Sequence, residues 1–203
     1  YNINDRMYSR NQDVGLMVID GDSIKVMDDG EFFADTGVFD MLPFETDETG
    51  KTVIILITTT FNGLFIHENK KFYAFRTEVD ELLKSYQIYN ACITADDNIA
   101  LATQRGGVVI IDKKGKLVKI LNDKTGLSTN VVYDVYSDNQ GGMWLATANG
   151  IHYCEVPSPL TRAKDIGLLK DQSNDVIIHN NNLYVTNNFG VLKFNAANQT
   201  FDL

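Results

Sequence analysis

Short apolar runs alternate with short polar stretches along the whole chain, and one phrase recurs five times. A strand-like apolar run is followed by a few polar residues, then a glycine, then a second apolar run. The copies read Met7-Tyr8-Ser9-Arg10 before Gly15-Leu16-Met17-Val18-Ile19, Ile54–Thr58 before Gly63–His67, Ile99–Thr103 before Gly107–Ile111, Met143–Thr147 before Gly150–Tyr153, and Leu183–Thr186 before Gly190–Phe194. The glycines stand at 15, 63, 107, 150 and 190, so the spacing narrows from 48 to 40 residues. A period of this length with several short strands per unit predicts a β-propeller, because one such unit cannot bury its own apolar faces and needs neighbours stacked on both sides.

The units expected from this period are approximately 1–30, 31–77, 78–122, 123–165 and 166–203, within one domain. In the fourth, Val131–Ser137, Met143–Thr147 and Ile151–Val156 read as strands, with a weaker fourth near Leu160–Ala163 after Pro157 and Pro159. Asp138-Asn139-Gln140-Gly141-Gly142 supplies the turn chemistry between the first two. The third unit repeats the meander as Ile88–Thr94, Ile99–Thr103, Val108–Asp112 and Lys116–Leu121. The second gives Val38–Phe44, Val53–Thr58, Leu64–His67 and Phe72–Phe75, and the fifth gives Asp175–His179, Leu183–Thr186, Val191–Phe194 and Thr200–Leu203. The first unit lacks most of its innermost strand, so the chain reads as a piece of a longer protein. Glu78–Tyr86 has helical spacing.

The second strand of each unit is apolar at nearly every position, which suits a strand buried on both faces. Trp144 is accordingly expected to pack between blades. The expectation is therefore an all-β array of about five four-stranded antiparallel blades, forming part of a larger, roughly seven-bladed propeller.

Composition changes this picture little. The 203 residues are 44% hydrophobic and 22% charged, ordinary for a globular array. The formal net charge of −9 offers no basic stripe, which argues against nucleic acid as a partner. Much of that charge falls in Asp28–Gly50, where eight acidic residues occur without a Lys or Arg and read as solvated loops. Cys92 and Cys154 lie in apolar strands of different units and read as buried, inert thiols rather than a disulfide. No apolar stretch is long enough to span a membrane, so membrane association would come only through segments outside this chain.

Strand direction alternates through each unit, so the turns between second and third strands share one face with the connections between units. That face gathers Arg10-Asn11-Gln12, Thr60-Phe61-Asn62, Gln104-Arg105-Gly106, Ala148-Asn149 and Asn187-Asn188-Phe189. The mix of amide, arginine and aromatic groups suits hydrogen bonding and stacking on a polar ligand such as a sugar. The candidate ligand-binding residues are Arg10, Asn11, Phe61, Asn62, Gln104, Arg105, Asn149 and Asn188.

Signals for chemistry are weak by comparison. His67, His152 and His179 fall in three different units with no H-x-H or His/Cys cluster, so no metal site is expected. No phosphate-cradling loop or nucleophile elbow occurs, and no cofactor is implied. A glycosidase would need two facing carboxylates. Asp40, Asp134 and Asp175 lie in innermost strands without an accompanying glutamate, so this is the weaker alternative. A protein-docking scaffold is the other.

One unit carries a resemblance in detail. Gly126-Leu127, then Asn130-Val131-Val132-Tyr133-Asp134-Val135-Tyr136-Ser137-Asp138, then Gly142-Met143-Trp144-Leu145-Ala146-Thr147 and Asn149-Gly150-Ile151 resemble the bacterial two-component regulator propeller repeat. Ala146 stands where that repeat usually has glycine, and Leu183–Thr186 is a looser copy without the tryptophan. The resemblance implies a non-catalytic sensor domain outside the inner membrane, recognising a small molecule or oligosaccharide and coupled to a histidine kinase elsewhere in the protein. A homodimer would be consistent with such a role. The repeat's consensus is structural and carries over no binding residue.

Overall fold

The computed structural model describes residues 1–155, 168–169, 172–195 and 200–203. The chain divides into two compact units, Tyr1–Pro157 and Ser158–Leu203. The first holds four antiparallel meanders. They comprise β1 (Asn2–Ile3), β2 (Arg6–Asn11), β3 (Gly15–Asp20) and β4 (Ser23–Val26); then β5 (Val38–Thr46), β6 (Thr52–Thr59), β7 (Leu64–Glu68) and β8 (Lys71–Phe75). After helix α1 (Asp80–Tyr86) come β9 (Ile88–Ile93), β10 (Ile99–Thr103), β11 (Val108–Ile111) and β12 (Leu117–Leu121), then β13 (Val132–Ser137), β14 (Gly142–Thr147) and β15 (Gly150–Glu155). The second unit is one sheet of β16 (Ser173–His179), β17 (Asn182–Asn187), β18 (Gly190–Asn195) and β19 (Thr200–Asp202), with a small core of Leu169, Val185, Leu192 and Phe201. The fourth strand expected near Leu160–Ala163 lies outside the described residues.

The continuous apolar runs have a direct cause. Along β6, Ile55 and Ile57 enter the layer shared with the first sheet, while Leu56 enters the layer shared with the third. Along β10, Ile99 and Leu101 face the second sheet while Ala100 and Ala102 face the fourth, against Met143 and Leu145. A strand with a sheet on each side must be apolar at every position. Each fully buried Leu or Ile contributes about 1.5–3 kcal/mol.

The expectation for Trp144 needs correction. Its indole is 46% exposed. It leans on the Tyr153 ring at 4.9 Å and donates from Nε1 to Asp138 Oδ2 at 3.2 Å. The β14 residues facing the third sheet are Met143 and Leu145, and Trp144 points to the opposite side. Burial on both faces thus holds for β10 but not for β14.

The recurring Thr-to-Gly phrase is a tether. Thr103 Oγ1 donates to the Gly107 carbonyl and accepts from the Gly106 amide, both at 2.9 Å. Thr59 does the same with Gly63 and Asn62, and Thr147 with Gly150 and Asn149. In the second unit Asn187 replaces the threonine, its Oδ1 accepting from the Phe189 amide. All five repeat glycines have positive φ, from 78° at Gly107 to 131° at Gly190. Only glycine adopts that backbone without strain, so the phrase keeps its glycine while its other positions drift.

A second regularity sits at the start of the innermost strands. Val38 pairs with Thr59 and Asp40 with Thr58, leaving Phe39 as an extra, bulged residue. Tyr89 is bulged in the same way between Ile88 and Asn90, and Tyr133 between Val132 and Asp134. In the second unit the bulged residue is Asn174. A bulge breaks the two-residue alternation and re-aims its side chain.

Candidate functional site

The turns between second and third strands lie at the same end of the first unit as the segments entering each innermost strand. Backbone bonds join the two sets: Asp13 N–H to the Ala34 carbonyl, Thr60 to Gly37, Gln104 to Gln87, and Ala148 to Val131. This end carries the candidate residues of the first unit, and their individual situations differ. Arg10 is committed to the scaffold, donating from Nε to the Phe33 carbonyl and from Nη2 to the Ala34 carbonyl. Asn149 Nδ2 likewise donates to the Ser128 carbonyl. Gln104 is braced through its amide against the end of α1, where the Tyr86 ring packs on Gly106. Asn11, Asn62 and Arg105 are exposed, and Phe61 is 54% exposed. Asn188 belongs to the second unit.

Next to this end, the innermost strands form a polar and aromatic edge. The carboxylate of Asp40 accepts from the Met41 amide at 2.8 Å and from Asn90 Nδ2 at 3.3 Å. Asn90 Oδ1 accepts from the Val135 amide at 3.1 Å, which ties the third sheet to the fourth. Asp134 Oδ1 accepts from the same amide at 2.9 Å. Burial, above all, raises the Asp40 pKa; hydrogen bonds from the Met41 and Ala91 amides oppose it, and the Asp134 charge adds to it. These groups stitch neighbouring sheets together, with the Asp134 side chain at the exposed end of the row.

The bulged aromatics stand above the stitches. Phe39 and Tyr89 have ring centroids 5.2 Å apart, and Tyr89 and Tyr133 5.9 Å apart and perpendicular. Phe39 is 37% exposed and Tyr133 49%. Reading by strand alternation missed these three. The signal was present as a repeated aromatic–Asx dipeptide, Phe39-Asp40, Tyr89-Asn90 and Tyr133-Asp134.

The remaining chemistry-bearing side chains are dispersed. His152 Nε2 lies 3.0 Å from Ser128 Oγ. His67 packs on the Phe72 ring at 4.8 Å, and burial, partly offset by Asp28, lowers its pKa. Among the described residues no group of three or more His, Cys, Asp or Glu could hold a metal ion. Asp175 accepts from the amide of its own neighbour, Val176, and belongs to the second unit. Burial pushes the Cys92 thiol up to about 11 and raises that of Cys154.

Antiparallel meanders of three or four strands sharing apolar layers, with their innermost strands stitched side by side, define a β-propeller array. Solved structures agree. The chain is similar to the extracellular domain described as that of the hybrid two component system BT3049 from B. thetaiotaomicron, at 19% identity and TM-score 0.60, over 97% of this chain and 27% of that one. It is also similar to the extracellular domain of the hybrid two component system BT4673 from the same organism, at 14% identity and TM-score 0.54, over 99% of this chain and 27% of that one. The WD40 β-propeller domain of Doa1 matches at 10% identity and TM-score 0.53, over 72% of this chain and 45% of that one. The chain thus spans about a quarter of the length of the first two. Residues 126–149 match the two component regulator propeller family. No curated protein sequence matches. Among the described residues no helix is long and apolar enough to cross a membrane.

Proposed function

We propose that this chain is a non-catalytic, ligand-sensing part of an extracytoplasmic propeller in a bacterial two-component signalling protein, recognising a small polar molecule, an oligosaccharide being the favoured class. The observation that carries the reading is the turn-bearing end of the first unit. Its turns are fixed by threonine tethers and by backbone bonds to the neighbouring connections, while Phe61 and Arg105 are left exposed upon them. A rigid frame presenting uncommitted side chains is what selective recognition asks of a scaffold. The match at residues 126–149 and the two extracellular domains of similar fold support the signalling context.

Catalysis is disfavoured by the carboxylates themselves. Asp40 is held by two backbone amides and Asn90, which is the environment of a structural group rather than a general acid. A protein-docking reading draws on one observation, the exposed Tyr136, Trp144, Ile151 and Tyr153 on one face of the fourth sheet.

A thermal-shift screen of the extracytoplasmic region against oligosaccharides, amino acids and small metabolites tests the reading. A concentration-dependent rise in melting temperature with one class is expected. No rise with any class would move the assignment to protein docking, and release of cleaved sugar would establish an enzyme.

A further inference from the structure

We propose that the bulged aromatics Phe39, Tyr89 and Tyr133 form a stacking platform for a neutral sugar chain, with Asp134 as its hydrogen-bond acceptor. The inference rests on the sensing reading above and moves the contact surface from the turns to the rim of the innermost strands.

The row of rings is built by the backbone. Three successive sheets each insert one extra residue at the same place, immediately after the strand begins, and each inserted residue is aromatic. Strict pairing would alternate these side chains between the inter-sheet layers, where Met41, Ala91 and Val135 already lie buried. The bulge removes Phe39, Tyr89 and Tyr133 from that competition and sets their rings in one row. Large aromatic rings left partly in water are costly to the fold and useful to a ligand.

The groups beside the rings supply hydrogen-bonding capacity. Among the described residues neither the Tyr89 nor the Tyr133 hydroxyl is spent on a hydrogen bond. The neighbouring Asx groups are spent very unequally. Asp40 and Asn90 are consumed by the inter-sheet stitches. Asp134 uses Oδ1 on the Val135 amide, and among the described residues its Oδ2 meets no protein donor. A row of weakly polar rings, tilted by 58° and 90° from one to the next and edged by phenol hydroxyls and a carboxylate oxygen that meets no donor among the described residues, fits a ligand that offers C–H faces and hydroxyl donors in more than one direction.

Two carboxylates stand beside the rings, Asp40 and Asp134, close enough that the Asp134 charge helps raise the Asp40 pKa. An acidic sugar or a phosphate would meet repulsion there. A compact ammonium ion would want rings enclosing one point. These rings instead contact each other in sequence along three blades, which suits an extended chain.

The test is a glycan array of neutral and uronate-containing oligosaccharides, followed by calorimetric titration of the intact extracytoplasmic region with its best neutral binder, and with choline and putrescine. Tyr133→Leu and Tyr89→Leu are compared with Tyr133→Phe, and with Phe61→Ala and Arg105→Ala, after matching melting temperatures. The expected result is binding of neutral chains over uronates, weakened about two- to tenfold by each Leu variant. Tyr133→Phe, which keeps the ring, should retain most of the affinity. Sugar binding that the Leu variants leave unchanged would overturn the platform while leaving the sensing reading in place. Binding of choline or putrescine instead, or preference for uronates, would overturn the neutral-sugar assignment alone. Absence of binding to every compound here and in the metabolite screen would overturn both.

Discussion

Replacing Gly107 by alanine is expected to cost far more than the same change at Gly63, although the two glycines hold the same place in successive repeats. Their backbones are nearly identical, with φ of 78° and 80°. Each carbonyl accepts both the amide and the Oγ1 hydroxyl of a threonine, Thr103 in one case and Thr59 in the other. A side chain at either position takes on left-handed strain of about 1–2 kcal/mol. The surroundings then diverge. At Gly63 a Cβ would meet nothing within 4 Å. At Gly107 it would lie 1.9 Å from the Leu121 carbonyl oxygen, which is backbone and cannot rotate away. The end of β12 would have to move. The bond from the Gly107 amide to the Asn130 carbonyl, which links the third sheet to the segment entering the fourth, would be strained with it. Overpacking of this kind adds about 1–3 kcal/mol and a weakened hydrogen bond about 1 kcal/mol more. Gly63→Ala should therefore lose about 1–2 kcal/mol and Gly107→Ala about 3–6 kcal/mol. At about 2–4 °C per kcal/mol for a chain of this size, the melting temperatures of the two variants should differ by roughly 4–16 °C. Urea denaturation and differential scanning fluorimetry would read the difference. Equal losses would show that strain alone explains the repeat glycine, and that close approach between turn and connection does not.

Other expectations follow from single side chains. Thr58 is fully buried, and its hydroxyl is without a partner among the described residues; Thr58→Val should raise stability by about 1 kcal/mol in urea titration. A loss on that substitution would mean that the hydroxyl is satisfied. His67 has a lowered pKa through burial, so the unfolded chain takes up the proton first. The stability this histidine contributes is present above its ordinary value near 6.5 and is lost as pH falls through the lower folded value. Melting temperatures of His67→Phe and the parent, compared between pH 7.5 and 5, should diverge in favour of the variant; parallel curves would contradict the burial argument. With its thiol pushed up to about 11, Cys92 should react with iodoacetamide at pH 8 far more slowly in the folded chain than in urea, and equal rates would refute that environment.

The architecture was legible because its causes are local. A positive-φ glycine after a threonine tether, repeated at Gly63, Gly107 and Gly150, leaves a mark that drift elsewhere does not erase. Apolar residues at consecutive positions of β10 similarly report a sheet on each side. The aromatic rim was harder to see, since strand reasoning assigns faces by alternation and a single extra residue re-aims the side chain. Nothing in Phe39-Asp40 by itself announces a bulge; the register does. Arg10 and Asn149 looked available for the opposite reason. Their donors are used by the Phe33, Ala34 and Ser128 carbonyls, acceptors brought near only by the fold. Trp144 was misplaced because an apolar run does not say which of its members faces the neighbouring sheet.

The most direct test of the account is hydrogen–deuterium exchange of the extracytoplasmic region with and without the best oligosaccharide binder. Slowed exchange is expected in the segments 37–41, 87–91 and 131–135 and in the turns at 60–63 and 104–107. Protection confined to the opposite end, at the turns 47–50, 95–98 and 138–141, would contradict it.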